Sequence, residues 1–124
     1  MNNDILNDFV FNVGWKSNRK ININNSEYAI VIHLQAYYET DGITAEQRNT
    51  YSEYLKNEEL ILKRIEKLIN DSCSDTVSSL TPSTLYIDRD GSLALLFDDA
   101  NNPDEGIAVC LSPKEKILSQ DEFL

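Results

Sequence analysis

A chain of 124 residues, 41% of them hydrophobic, is long enough for one domain with its own core and too apolar to stay disordered throughout. Its formal net charge of −10, from 21 acids against 11 bases, argues against direct binding of DNA, RNA or an anionic membrane and favours a basic protein partner. Met1 to Asp8 carries neither the basic nor the apolar segment of a signal peptide, and no apolar run reaches the roughly 18–20 residues of a membrane helix, so the expected address is the cytoplasm.

Phe9, Phe11, Val13 and Trp15 alternate with Val10, Asn12 and Gly14, which predicts a first strand. Lys16 to Arg19 reads as a polar turn, and Ile21 with Ile23 as a second strand with one wet face. Asn24-Asn-Ser26 reads as another turn, because Asn tolerates a left-handed backbone. Tyr28 to Tyr38 predicts the longest strand, and its run Ala29–Ile32, apolar on both faces, places it centrally. Short loops between these strands imply antiparallel neighbours.

Thr44 to about Ser72 predicts the one long helix. Tyr51, Tyr54, Leu55, Ile61, Leu62, Ile65, Leu68 and Ile69 recur with the period of one helical face, and charged residues of alternating sign fill the others. Thr44 and Gln47 spell a capping box. Asn57, followed by Glu58 and Glu59, is spelled like a second N-cap, so the helix is either continuous or, as favoured, bent there.

Cys73 to Ser83, polar and holding Pro82, reads as a connection. Leu85–Ile87 and Ser92–Phe97 flank Asp90-Gly91, a strong hairpin signal. Asp98 to Glu105 forms a longer loop, Gly106–Leu111 a strand buried on both faces and ended by Pro113, and Ile117-Leu118 a short edge strand. The expected architecture is α+β: a single domain over residues 1–124, built as an antiparallel sheet of two meanders, with three strands before the helix and three or four after it. The helix lies across one face of that sheet.

The residue types that carry chemistry do not converge in the sequence. Asp88-Arg-Asp-Gly91 has its Gly in the fourth place of a calcium loop instead of the sixth, so the hairpin reading is preferred. His33 is the single histidine, which leaves no zinc set; it is expected to be hydrogen-bonded in the core or on the wetter face of its strand. Cys73 and Cys110 are expected to be reduced thiols. No nucleophile elbow or phosphate-binding loop is spelled. The expectation is therefore no catalytic residue, no cofactor and no metal. Tyr37, Tyr38, Tyr51 and Tyr54 bracket the helix start and are expected mainly in core and rim packing, with an interface role left open.

Charge is distributed unevenly. From Asp88 onward nine acids face Arg89, Lys114 and Lys116, and the predicted partner-binding residues are Asp98, Asp99, Asp104, Glu105, Asp121 and Glu122. The run Ala45–Gln47 … Tyr54–Glu58, the Leu80-Thr-Pro82 connection, and Ile87–Gly91 … Leu96-Phe97 … Asp104–Val109 resemble the spacing of a family of small, uncharacterised bacterial domains. In that family a Gln opens the helix, a Leu-x-Pro precedes a strand and a Gly-Ile-x-Val strand closes the sheet. Its members often stand beside polymorphic toxins and are read as their immunity proteins. The resemblance implies a non-enzymatic, immunity-type inhibitor, and the acidic balance then points to a basic toxin such as a nuclease; the alternative is a general protein-interaction or regulatory module.

Overall fold

The computed structural model describes residues 5–72, 77–104, 106–112 and 114–123, with the side chains of Val77 and Asp121 left out. Helix α1 (Ala45–Ser72) starts as its sequence spells. The Thr44 hydroxyl accepts the Gln47 N–H at 3.0 Å, and the Gln47 side-chain oxygen accepts the Thr44 N–H at 3.0 Å. The helix bends at Asn57, whose φ of −120° and ψ of 19° are non-helical. There the Asn57 amide donates back to the Glu53 carbonyl at 3.0 Å, satisfying a group within the bent turn. Tyr51, Tyr54, Leu62, Ile65 and Ile69 are buried along one face, as the periodicity requires.

That face lies on a sheet of seven strands in chain order: β1 (Val10–Phe11), β2 (Trp15–Ile23), β3 (Ser26–Leu34), β4 (Leu80–Ile87), β5 (Leu93–Asp99), β6 (Ile107–Ser112) and β7 (Lys116–Ser119). Two meanders are present, of three and four strands, and their join corrects the all-antiparallel expectation. The central neighbours β3 and β4 are parallel, with Val31 opposite Thr84 and Leu34 opposite Ile87. The long α1 connection between them is the crossover that parallel neighbours need.

Strand boundaries also shift from those expected. Instead of running from Phe9 to Trp15, the first strand is cut to two residues by a turn at Asn12–Gly14, where Val13 and Gly14 have φ of 53° and 109°. Lys16–Arg19 lies within β2, where a polar turn was expected. On the side away from the helix Lys16, Asn18 and Lys20 meet water, so polar spelling there does not oppose pairing. The strand predicted for Tyr28–Tyr38 runs from Ser26 to Leu34 and releases Tyr37 and Tyr38 to solvent, 77% and 71% exposed. The expected connection gives way to strand at Leu80, so Pro82 sits inside β4. It lies before β3 starts to pair with β4 at Thr84, and its missing N–H leaves no ladder bond unmade on that side. Cys73 and Pro113 lie outside the described residues; Cys110 is a buried free thiol.

The sheet's two faces differ. Ile21, Ile32, Leu34, Leu85, Ile87, Leu95 and Phe97 form one core with the α1 stripe. Val31, His33, Thr84 and Tyr86 lie half-buried on the opposite face. A short helix, α2 (Gln120–Phe123), touches β6 and β7 and brings Phe123 against Tyr86.

Candidate interaction surface

The ends of β3 and β4 are tied to α1 by one buried polar side chain. The Gln47 amide, fully buried, donates to the carbonyls of Gln35 at 2.9 Å and Ile87 at 3.2 Å while its oxygen caps the helix. Arg89, in the turn after β4, donates to the carbonyls of Gln35, Asp41 and Gly42, each at 3.1 Å. The Thr44 and Thr50 hydroxyls donate to the carbonyls of Arg89 and Gly91 at 2.8 and 2.7 Å. These bonds fix the Asp88–Ser92 hairpin and the Gln35–Gly42 segment, both of which border the sheet's uncovered face.

On that face the rings form a ladder. His33 and Tyr86 are register partners on the parallel strands, and their rings stack with centroids 4.9 Å apart and planes 9° from parallel. Phe123 meets Tyr86 edge-on at 5.2 Å. Gly14 closes the other end: a Cβ there would lie 2.6 Å from the His33 ring, and φ of 109° also suits only glycine. His33 Nε2 pairs with the Gln35 side-chain oxygen at 2.8 Å. Burial lowers the His33 pKa and Lys16 adds to this, while the Gln35 bond and Asp88 oppose it, so the imidazole favours its neutral form. Tyr86 is pushed up to about 12, first by burial and then by the charge of Asp88.

This ladder floors a cleft of about 520 Å³, with Val13, Gln35, Tyr37, Asp88 and Leu96 around it. Asp88 is exposed; one carboxylate oxygen accepts the Arg89 N–H at 2.8 Å. Phe123 also borders a second hollow containing Lys114, Lys116 and Glu122.

The acids predicted from the sequence separate by environment. Asp98 and Asp104 are exposed, and neither has an ion-pair partner among the described residues. Asp99 is committed to its own loop, accepting the Ser79 hydroxyl at 2.8 Å and the Asn101 N–H at 2.9 Å. Glu122 is exposed and exchanges hydrogen bonds with Ser119, its carboxylate accepting the hydroxyl at 3.1 Å. Glu105 and the Asp121 side chain lie outside the described residues. The loop expected from Asp98 starts later, because Asp98 and Asp99 pair with Thr81 and Leu80 as the last residues of β5, and the register places the Asp90 hairpin and this acidic end at opposite ends of that strand. Among the described residues no three His, Cys, Asp or Glu side chains converge as a cation site requires.

The sequence reading missed α2 and with it the place of Phe123, assigning no element after the short strand at Ile117-Leu118. A signal was present: Ser119-Gln-Asp-Glu122 is a capping-box spelling, and in the structure the Ser119 hydroxyl accepts the Glu122 N–H as a helix cap does, while the Glu122 carboxylate accepts the Ser119 hydroxyl. The ring ladder had no linear signal, because Gly14, His33, Tyr86 and Phe123 come from four separate segments. No protein-family model, curated protein or solved structure gives a significant match to this chain.

Proposed function

We propose that this domain is a non-enzymatic binding protein of immunity type, which neutralises a basic partner, a cognate toxin such as a nuclease, by occupying its cleft. The observation that carries the reading is the acidic excess, −10 over the chain and concentrated after Asp88. Exposed Asp98, near the end of β5, and exposed Asp104, in the loop that follows, belong to it, and Asp99 holds the turn between them. Carboxylates on such an anchored loop speed encounter with a cationic surface at a reduced cost in ordering. The family resemblance read from the sequence points the same way.

The test is co-purification from the native host, followed by association kinetics across a salt series. Asp98→Asn with Asp104→Asn is expected to slow association about tenfold at low salt and to flatten its salt dependence, leaving the melting temperature unchanged. A partner whose association ignores both salt and the two substitutions would overturn the electrostatic mechanism.

A further inference from the structure

We propose that the aromatic cleft on the uncovered sheet face receives an arginine side chain of the protein partner, its guanidinium stacked on the rings and paired with Asp88. This rests on the reading of the domain as a binder of a basic protein and names the contact that such a partner would make.

The cleft's chemistry selects a cation. Tyr86 and Phe123, in edge-on contact, both line one space, with Tyr37 at the rim. Such rings attract a delocalised cation held over a face. Asp88 is the acid bordering the cleft, and its second carboxylate oxygen has no hydrogen bond among the described residues. Arg89, beside it in sequence, directs its guanidinium to three backbone carbonyls, leaving the Asp88 carboxylate without that partner. His33 favours its neutral form, so it adds little opposing charge to the floor. Lys16 faces His33 from β2, and Lys114 and Lys116 lie with Glu122 in the adjoining hollow, which Asp88 and Phe123 also line. These cations weaken the field without lining the cleft itself. A planar guanidinium fits better than an ammonium, because it can stack on a ring while donating to a carboxylate. The Gln35 side-chain oxygen, held by His33, stands at the same wall and orders it.

The platform is also pre-set. Arg89 and Gln47 hold the Gln35–Gly42 segment that carries Tyr37, and Gly14 buttresses the His33 end of the ladder. A rigid aromatic site has less side-chain entropy to lose on binding.

The probe is N-acetyl-arginine methylamide, titrated into the full 124-residue chain and followed by amide and side-chain NMR, with the citrulline and norleucine analogues as controls. The expected result is weak saturable binding that shifts resonances of His33, Tyr86, Asp88 and Phe123. Asp88→Asn should weaken it about tenfold and Tyr37→Ala severalfold. Both residues are exposed, so undisturbed spectra elsewhere will show that the variants fold. Equal binding of citrulline or norleucine would overturn the proposal, as would shifts confined to another surface, indifference to Asp88→Asn or failure to bind. If a basic partner binds with the salt dependence described above while Asp88→Asn and Tyr37→Ala leave its affinity unchanged, the arginine site falls and the acidic-inhibitor reading stands.

Discussion

Glu58 holds Arg19 through two hydrogen bonds of 2.7 Å between residues 39 positions apart, clamping the bend of α1 to β2. Burial opposes ionisation of Glu58, but the Arg19 bonds and charge prevail and hold its carboxyl below the ordinary value of 4.5. The folded state thus binds this proton less readily than the unfolded chain. The pair's contribution is fully present above about pH 5 and is lost as pH falls through the depressed Glu58 value. The Arg19 side chain is 35% exposed, so Glu58→Gln should cost only about 1 kcal/mol at pH 7 after solvent screening. Urea denaturation at pH 7 and pH 3 should show that cost shrinking in acid. An equal cost at both values would remove ionisation from the account.

Ile65 and Glu59 test which face of α1 is inside. Ile65 is fully buried in the core, whereas the Glu59 side chain is 86% exposed and lies 3.8 Å from Lys63. Ile65→Asp buries an unpaired charge at a cost of several kcal/mol, a large part of the roughly 5–15 that holds such domains folded. Circular dichroism should show the chain largely unfolded. Glu59→Lys should change the unfolding free energy by less than about 0.5 kcal/mol.

Gln47 offers a sharper test, because its amide must donate and accept at once. Gln47→Leu removes the return bond to the Thr44 N–H and both carbonyl contacts, yet the Thr44 hydroxyl keeps the N–H of residue 47, Gln35 O keeps Arg89 and Ile87 O keeps the Gln35 N–H at 3.0 Å. The expected loss is about 1–3 kcal/mol. Gln47→Glu should cost more at pH 7, since an ionised carboxylate would face two carbonyl oxygens with no proton to give. Its folded pKa is then raised, so the variant should regain stability as pH falls toward 5. Chemical denaturation of both variants across that range checks the order; Glu tolerated better than Leu at pH 7 would sink it.

Several features were legible because they are local. The α1 stripe, its cap, the Asn57 bend and the Asp90-Gly91 hairpin each depend on neighbours within a few residues, and all four appear in the structure. The β2 boundary was illegible because hydrophobic period reports burial, and Lys16, Asn18 and Arg19 pair their backbones without burying their side chains fully. Arg19 faces the helix side, but an ion pair takes the place of apolar packing there. The parallel join required knowing that α1 returns the chain to the edge of the first meander, which is a tertiary fact. The acids were visible as a count; that Asp99 is bound to Ser79 while Asp98 remains open was not.

His33 carries the last prediction. Its pKa is lowered first by burial, with Lys16 pressing the same way and Gln35 and Asp88 pressing back. The unfolded chain therefore binds the proton more readily than the folded one near the ordinary value of 6.5. Stability is complete above that value and declines as pH falls through the folded pKa, the direction expected when a neutral buried imidazole must charge. The ring's place in the stack gives a direct observable. The His33 ring protons, shielded by Tyr86 at 4.9 Å, should titrate with a midpoint below 6.5 in two-dimensional NMR. His33→Phe keeps a ring against Tyr86 but has nothing to protonate. Its absolute stability will also reflect crowding against Gly14, so the informative quantity is slope. Between pH 7 and pH 5 the variant should lose less stability than the parent chain. A His33 midpoint at or above 6.5, or identical slopes in the two proteins, would show that the stack does not favour the neutral ring.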